Sequence, residues 1–271
     1  MPFRNPVGLI PPAVNTPTEA ERPWPQPTAR TPWRAGPPAY EADNLAVWHR
    51  SMGFLAEERF RRAYRKGIAS GPAFDFFGDG NPDPQVEWRV HIVCWAALHA
   101  AKLPGDFVEC GVNTGIFSLA LCDYIDFNAT GKNFWLFDTF SGIPVEQINP
   151  RETALGRAAE NAWYPDCFER TTANFAPYPR ARLIRGKVPD TLATVEVGEV
   201  AYLHIDMNIA YPERAAIEHF WPKLVRGALV VFDDYGWSSY VEQKATLDDF
   251  ARRNGTMIAT LPTGQGLMIK A

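Results

Sequence analysis

The sequence predicts an α/β protein built around one doubly wound, mostly parallel β-sheet. The first reason is that, beyond about residue 105, short apolar runs alternate with helical segments, a rhythm typical of parallel βαβ units. The second reason is that the last two apolar runs are joined by a turn too short to hold a helix. That spacing predicts a sheet that ends in an antiparallel strand.

Seven short apolar runs are the candidate strands, at residues 107–110, 134–137, 182–185, 201–205, 229–232, 257–260 and 267–269. Helical segments lie between several of them, at residues 116–125, 212–221 and 239–253. The turn at residues 261–266 contains proline and glycine and permits a hairpin. We therefore expect a seven-stranded sheet whose final strand runs against the others.

Two helices are predicted before the sheet begins. Apolar residues recur at helical spacing within residues 40–66, at Leu45, Trp48, Met52 and Leu55. A loop rich in glycine, proline and aspartate follows at residues 71–84. A second helix should run from about residue 85 to 102, where Pro104 and Gly105 stop it.

The first part of the chain has a different character. Residues 1–39 hold 11 of the 24 prolines. Proline removes a backbone donor and fixes φ, which excludes a regular helix or a central strand. We expect an extended arm, either disordered or laid over a neighbouring surface, followed by one domain over residues 40–271.

Composition argues against several classes of partner. The net charge is −4, so no basic field points to nucleic acid or to anionic membranes. No window approaches the roughly 18 apolar residues of a membrane span, and the start of the chain lacks the apolar run of a signal peptide. Cysteines form no CxxC pair and are expected as reduced, buried thiols at positions 94, 110, 122 and 167. We therefore expect a cytoplasmic protein.

The loop after the first strand of the sheet indicates a nucleotide-type cofactor site. The segment DFVECGVNTG, residues 106–115, ends a buried strand in an acid and continues into two glycines that open a helix. Glycines let a backbone approach a ligand, and a helix N-terminus presents free N–H groups. The dinucleotide fingerprint needs glycine where Asn113 stands, and the charge of Glu109 would repel a pyrophosphate but suits a cationic ligand. A plain strand–turn–helix is the alternative.

Asp138 ends the next strand, 23 residues after Gly115. A carboxylate at this position can accept both hydrogen bonds from a ribose diol. The alternative is a solvated acid at a strand end.

Three more acids follow two later strands. Asp206 ends the apolar run at residues 201–205, and the pair Asp233 and Asp234 ends the run at residues 229–232. Acids at the same end of adjacent parallel strands would repel one another unless a proton or a cation lies among them. Oxygen-only ligands suit Mg²⁺, Mn²⁺ or Ca²⁺ rather than zinc. The alternative is that Asp233 or Asp234 caps the next helix or turn.

Other candidate residues are less informative. We interpret the histidines in apolar helices and strands as structural, namely His91, His99, His204 and His219. Trp163 and Tyr164 could line an acceptor pocket, and ordinary packing is an equal alternative.

Four segments together carry a family resemblance: GDFVECGV at residues 105–112, FDTFSGIP at 137–144, LHID at 203–206 and VVFDDYG at 230–236. They resemble the macrocin O-methyltransferase (TylF-like) family, over about residues 85–271. Its members are Rossmann-like class I enzymes that use S-adenosylmethionine (SAM) and Mg²⁺ to methylate sugar hydroxyls of natural products. The resemblance implies this fold and this chemistry for a domain over residues 40–271, which carries additional helices at its N-terminal end. It also implies a homodimer, in which the arm of one subunit could cross onto the other.

The resemblance also implies roles for individual residues. The residues implied to hold the methionine part of SAM are Glu109, Gly111, Val112, Asn113 and Thr114. Asp138 would bind the ribose, with Thr139 and Phe140 beside it, and Gly186 and Lys187 would border the adenine. The metal ligands would be Asp206, Asp233 and Asp234, with Asp206 also bordering SAM.

One position departs from the family pattern. The family has an aspartate, assigned as the general base, two residues after its first metal aspartate, and here that position is Asn208. A neutral amide does not accept a proton at useful pH. Four explanations stay open: another group is the base, the metal alone lowers the hydroxyl pKa enough, the acceptor is already ionised, or the protein does not catalyse methyl transfer. We expect Asp206 and Asn208 to be the catalytic residues, with Asn208 orienting the acceptor.

The expected reaction is attack of an acceptor oxygen on the SAM methyl group, with the metal orienting that oxygen and stabilising its developing charge. Three alternatives stay open: a dehydrogenase, a SAM-binding protein without this chemistry, and a metal-dependent hydrolase. The acceptor should be a small molecule, and sugar, polyketide, phenol and glycan are all compatible with the sequence.

Overall fold

The structure is a computed structural model that describes residues 36–71 and 83–271. The predicted arm at residues 1–39 lies almost entirely outside the described residues, as does most of the loop predicted at 71–84. Of the helices in the described ranges, none has the length and apolar character needed to cross a bilayer.

A seven-stranded sheet forms the centre of the fold, in the order β5-β4-β3-β6-β7-β9-β8. Its strands are β3 (Asp106–Cys110), β4 (Phe134–Asp138), β5 (Ala181–Arg185), β6 (Val200–Ile205), β7 (Leu224–Phe232), β8 (Ala259–Thr260) and β9 (Gly266–Ile269). Neighbours from β5 to β7 pair in parallel. Strand β9 pairs antiparallel with both β7 and β8. The predicted fold class and its antiparallel last strand are confirmed.

Helices cover both faces of this sheet. They are α1 (Glu58–Ile68), α2 (Glu87–Ala100), α3 (Ile116–Ile125), α4 (Phe127–Thr130), α5 (Pro150–Ala154), α6 (Phe168–Phe175), α7 (Ala210–Phe220) and α8 (Val241–Arg253). Short 3-10 helices lie at Gly53–Ala56, Val145–Gln147, Arg157–Trp163 and Trp221–Lys223.

Alternation along the strands divides the core into two layers. In β3, Phe107 packs into the layer under α2 and α3, and Val108 packs into the layer under α7 and α8. Strand β6 is buried at every position. Strands covered on both faces read as continuous apolar runs, which is why the sequence located them well. The four cysteines are free and buried, as predicted.

The helix predicted over residues 40–66 is wrong for its first half. Strands β1 (Tyr40–Ala42) and β2 (Leu45–Val47) form an antiparallel hairpin, and the helix α1 begins only at Glu58. The two turn residues, Asp43 and Asn44, have φ of 51° and 57°. Aspartate and asparagine tolerate this left-handed conformation, and two such residues between short strands favour a type I′ hairpin. The helical spacing of the apolar residues was coincidental.

The hairpin is fastened to the start of α2. The Tyr40 hydroxyl donates to Glu87 Oε2 at 2.8 Å, and Arg89 donates from Nε and Nη2 to the two Asp43 oxygens at 2.8 and 3.1 Å. These contacts bring the hairpin turn to the edge of the sheet where β3, β4, β6 and β7 end.

Candidate active site

A cavity of about 580 Å³ lies beyond the carboxyl ends of the parallel strands. Loops after β3, β4, β6 and β7 line it, and the turn of the β1–β2 hairpin closes one side. This is the crevice in which open α/β sheets bind ligands. A cavity of this size is in the range that holds cofactors and small substrates.

Asp138 organises the loop that follows β3. Its Oδ2 accepts from the backbone N–H groups of Val112 and Asn113 at 2.5 and 2.7 Å. Its Oδ1 accepts from the Phe140 N–H at 2.6 Å, whereas the Thr139 hydroxyl donates to the Gly142 carbonyl at 2.6 Å. Three of the carboxylate's four lone-pair positions are therefore used within the protein. The fourth, on Oδ1, lies 3.3 Å from the Thr139 hydroxyl, whose proton is better directed at the closer Gly142 carbonyl, so that a ligand hydroxyl can still donate to Oδ1.

The two glycines of the loop serve packing inside the protein. A Cβ on Gly111, where φ is 93°, would lie 1.7 Å from the carbonyl oxygen of Asp206. A Cβ on Gly115, where φ is 100°, would lie 2.8 Å from the Phe175 ring. The sequence interpretation assigned these glycines to close approach of a ligand. In the structure, backbone and side chains of the same protein make the close approach.

Two residues implied to hold SAM lie behind the cavity wall. Glu109 is buried and accepts from His204 Nδ1 at 2.8 Å. Thr114 is buried and shares a hydrogen bond with the Ser70 hydroxyl at 2.9 Å. Glu109 and His204 are register partners in β3 and β6, and their side chains share the face covered by α2 and α3. Strand alternation, which the interpretation of Glu109 overlooked, turns this acid away from the crevice.

Of the other residues implied to bind SAM, most line the cavity and one does not. Those that line the cavity are Gly111, Val112, Asn113, Asp138, Thr139, Phe140 and Gly186. Lys187 instead pairs at the surface with Glu146, with Nζ 2.5 Å from Oε1. The structure therefore brings most, and not all, of the implied cofactor residues to one crevice.

The three acids predicted to meet do so at the floor of this cavity. Asp206, Asp233 and Asp234 each offer a carboxylate oxygen, and these three atoms lie within 4.8 Å of one another. Burial and the repulsion of its neighbours raise the pKa of Asp206, and the same causes raise the pKa of Asp234 to about 7. Oδ2 of Asp234 is buried without a hydrogen-bond partner among the described residues. An oxygen-only donor set with an unpartnered buried oxygen fits a hard divalent cation.

Asp233 is held in a different state from the other two acids. Its Oδ2 accepts from Arg89 Nη1 at 2.5 Å, and its Oδ1 accepts from Gln265 Nε2 at 2.9 Å. Although burial opposes its charge, the guanidinium of Arg89 and the imidazole of His204 lower the pKa of Asp233 to about 2. Asp233 therefore brings a permanent negative charge to the cluster.

His204 and Arg89 were missed as parts of this site. Burial opposes the charge on His204, but the charges of Asp233 and of Glu109, to which His204 is hydrogen-bonded, outweigh it and raise its pKa to about 10. Its Nε2 lies 3.9 Å from Asp233 Oδ1. His204 is buried, as predicted for a structural histidine. The prediction did not include its contacts with the charged side chains of Glu109 and Asp233. The sequence did contain one indication of a special role for Arg89, because it is the one arginine in the largely apolar helix α2.

The loop that carries Asn208 is clamped from three elements. The Met207 N–H donates to Glu213 Oε1 at 3.2 Å, and the Ala210 N–H donates to Glu152 Oε1 at 2.7 Å. The Tyr240 hydroxyl donates to Asn208 Oδ1 at 3.1 Å. Asn208 lines the cavity next to the acid cluster, as predicted from its spacing after Asp206.

Aromatic side chains form part of the cavity wall. The cavity is lined there by Trp163, Tyr164, Trp237 and Tyr240. Trp163 and Tyr164 therefore do line this cavity, and their contact with an acceptor stays a prediction. Flat apolar rings of this kind suit the face of a ring-shaped ligand.

Comparison with known proteins places the chain in a family. The sequence model described as macrocin-O-methyltransferase (TylF) matches residues 90–260. The chain belongs to the macrocin O-methyltransferase family. This membership argues against the dehydrogenase and hydrolase alternatives.

Several named O-methyltransferases are similar in sequence to about half of this chain. It is 28% identical over 151 residues to the 8-demethyl-8-(2,3-dimethoxy-alpha-L-rhamnosyl)-tetracenomycin-C 4'-O-methyltransferase of Streptomyces olivaceus, covering 52% of this chain and 57% of that protein. It is 28% identical over 143 residues to the demethyldecarbamoylnovobiocin O-methyltransferase of Streptomyces niveus, covering 49% of this chain and 54% of that protein. The matched region thus spans little more than half the length of these relatives.

Solved structures show the same fold. The O-methyltransferase NovP superposes with a TM-score of 0.61 at 20% identity, covering 76% of this chain and 88% of that one. The calicheamicin methyltransferase CalS11 gives a TM-score of 0.50 at 18% identity, covering 82% of this chain and 94% of that one. At these identities the likeness concerns the fold, which is that of class I methyltransferases.

Proposed function

We propose that this protein is a SAM-dependent O-methyltransferase that acts on a hydroxyl of a sugar-bearing or other natural-product acceptor, with a divalent cation held by Asp206, Asp233 and Asp234. One observation carries the proposal: the loop that Asp138 organises and the three-acid cluster line the same cavity. A cofactor site and a cation site that share a cavity permit transfer between two bound molecules.

The cofactor end is assigned to the loops after β3 and β4. Seven of the residues implied to hold SAM line this end, and Asp138 keeps a free lone pair for a ribose hydroxyl. SAM supplies the electrophilic methyl group when bound. The chain's own contribution is a rigid loop whose N–H groups are fixed by Asp138 at 2.5 and 2.7 Å, so little ordering is left to binding.

The cation end is assigned to the three acids. The cation, when bound, would lower the pKa of the acceptor hydroxyl and stabilise the developing charge on its oxygen. Arg89 and His204 keep Asp233 ionised, and the raised pKa values of Asp206 and Asp234 reflect a cluster that needs a proton or a cation. The charge balance of these side chains therefore supports a metal-dependent reaction at this position.

The acceptor class follows from the family and its relatives. The matched Streptomyces proteins are named as O-methyltransferases of tetracenomycin and novobiocin compounds. The aromatic side chains that line the cavity support a ring-shaped acceptor. We further propose that residues 40–271 form the catalytic domain and that the protein is cytoplasmic. We also propose that it forms a homodimer in which residues 1–39 of one subunit could cross onto the other subunit. Light scattering combined with limited proteolysis tests the last point, since a protected arm on a strict monomer contradicts it.

Calorimetry with S-adenosylhomocysteine (SAH), the product form of the cofactor, tests the proposed function. We expect one SAH per chain, bound with or without Mg²⁺, and no comparable binding of NADH. Absence of SAH binding, or preference for NADH, would contradict the assignment.

A further inference from the structure

The amide of Asn208 has a defined orientation. Its Oδ1 accepts a hydrogen bond from the Tyr240 hydroxyl at 3.1 Å, and no residue in the described part of the chain accepts one from its Nδ2. Asn208 lines the cavity. The group left for a ligand is therefore an N–H donor, where an aspartate would offer only acceptors.

The ring of Tyr240 is itself held in place. The Arg157 guanidinium lies 3.6 Å from the centre of its ring, and Arg157 is fixed by the Glu160 carboxylate and by the Ser239 carbonyl, the latter at 2.5 Å. Burial raises the pKa of the Tyr240 hydroxyl, which keeps its proton in place. The stacked guanidinium fixes the ring, and the ring fixes the amide.

Rotation of the Asn208 backbone is also restricted. Its φ is 63°, a conformation that asparagine and aspartate tolerate better than most side chains. The N–H groups of Met207 and Ala210 on either side are bound by the buried carboxylates of Glu213 and Glu152. Position 208 is therefore held by its neighbours as well as by its own side chain.

The cavity also lacks a free base for an ordinary alcohol. No histidine or lysine lines it within the described ranges. Asp43 is engaged by Arg89 in a two-fold ion pair, Asp138 binds backbone N–H groups, and the other three acids belong to the proposed cation site. Among the described residues that line the cavity, no carboxylate remains to accept the proton of the acceptor.

We propose that the acceptor is an acidic hydroxyl, a phenol or an enol, and that Asn208 Nδ2 donates a hydrogen bond to its oxygen. Tyr240 is the positioning residue for that amide. A phenol has a pKa of about 10, whereas an aliphatic hydroxyl lies much closer to water at about 15.7. A site that offers a hydrogen-bond donor and no free base therefore favours a phenol over an aliphatic hydroxyl. This inference rests on the proposed function and narrows its acceptor.

The chemical step balances without a protein base. The acceptor O–H would release its proton to solvent as its oxygen binds beside the cation that Asp206, Asp233 and Asp234 would hold. A lone pair of that oxygen then forms a bond to the methyl carbon of SAM. The carbon–sulfur bond breaks, its electron pair stays on sulfur, and neutral SAH leaves.

A matched pair of probes tests the inference by calorimetry on the Mg²⁺-loaded, SAH-bound protein. Catechol and trans-1,2-cyclohexanediol carry two adjacent oxygens on rings of similar size and differ chiefly in acidity and flatness. We expect catechol to bind at least about tenfold more tightly, and to release close to one proton, as measured in buffers of different ionisation enthalpy. Equal or tighter binding of the diol, no binding of either probe, or no proton release would overturn the inference.

Two substitutions separate positioning from folding. Tyr240→Phe removes the hydroxyl that orients Asn208, so catechol affinity should fall about tenfold, the effect of one hydrogen bond to a charged oxygen, with SAH affinity unchanged. Asn208→Asp should weaken catechol and spare or favour the diol, because a carboxylate repels the anionic oxygen and can serve as a base. Unchanged catechol affinity in both variants contradicts the inference. Loss of SAH binding by the wild-type protein would instead contradict the proposed function.

Discussion

Arg89 Nη1 lies 2.5 Å from Asp233 Oδ2, and this contact joins helix α2 to the acid cluster across 144 residues of sequence. The same guanidinium binds Asp43 in the hairpin turn at 2.8 and 3.1 Å. One buried cation therefore fixes both a wall of the cavity and one of its proposed metal ligands. Its removal leaves the largely buried Asp43 without its ion-pair partner. Among the described residues, it leaves Asp233 with Gln265 and His204 only.

We expect Arg89→Met to destabilise the fold by about 3–5 kcal/mol, because breaking a buried ion pair leaves uncompensated charge. Urea denaturation measures this. Arg62→Met is the control, since Arg62 pairs with Asp123 at the surface, where loss of an ion pair has little effect on stability. If the two variants were equally stable, the Arg89 network would have no structural role.

Asp138→Ala should weaken SAH binding by on the order of 1–3 kcal/mol, because charged hydrogen bonds to the cofactor and to the loop are lost together. Calorimetry gives the affinity directly. Asp166→Ala is a suitable control, because Asp166 pairs with Arg185 at the surface, where its side chain is 55% exposed. Unchanged affinity in Asp138→Ala would remove this residue from the cofactor site.

Gly111→Ala should destabilise the protein by about 3 kcal/mol, because its Cβ would lie 1.7 Å from the Asp206 carbonyl oxygen. Gly131→Ala is the matched control: Gly131 also has a positive φ, of 69°, but nothing lies within 4 Å of its Cβ position. Backbone strain alone should cost the control about 1–2 kcal/mol. Similar thermal shifts in both variants would mean that the close approach of β3 and β6 is not what requires glycine.

The core of the fold was predictable because burial on both faces marks each parallel strand with a continuous apolar run. The acids at the ends of β6 and β7 were predictable for the same reason, since neighbouring parallel strands end at one edge. The β1–β2 hairpin was not predictable in this way. The apolar residues from Leu45 to Leu55 match helical spacing by chance, whereas the two turn residues with left-handed backbone, Asp43 and Asn44, determine the structure.

The limits of sequence reasoning at the site have a physical cause as well. Alternation along β3 turns Glu109 toward His204, and only the register between β3 and β6 makes that contact visible. The Arg89–Asp233 pair and the Tyr240–Asn208 hydrogen bond join residues 144 and 32 positions apart. No local pattern encodes such contacts, although their residue types are unusual for their surroundings.

Glu213 makes stability depend on pH. Burial, with the nearby charge of Asp234, raises the pKa of Glu213 from 4.5 to about 8. The unfolded chain therefore loses this proton first, and stability falls as pH rises from about 4.5 to 8, by up to about 1.4 kcal/mol per pH unit. Glu213→Gln keeps an acceptor for Gln243 and should flatten that slope in thermal melts.

Glu218→Gln serves as the control for this pH effect. Glu218 lies on the same helix with its carboxylate exposed in an ion pair with Arg214. Its replacement should leave the slope between pH 4.5 and 8 as it is in the parent protein. An equal slope in the Glu213→Gln variant would show that another group is responsible.

Titration of Mg²⁺ or Mn²⁺ into metal-stripped, SAH-bound protein tests the proposed reaction centre most directly. We expect one ion per chain, with binding lost in Asp206→Asn and Asp234→Asn and retained in Asp249→Asn, whose carboxylate lies at the surface between Arg252 and Arg253. Calorimetry reports both metals, and electron paramagnetic resonance reports Mn²⁺. No binding, or binding that survives both cluster substitutions, would contradict metal-assisted methyl transfer at this site.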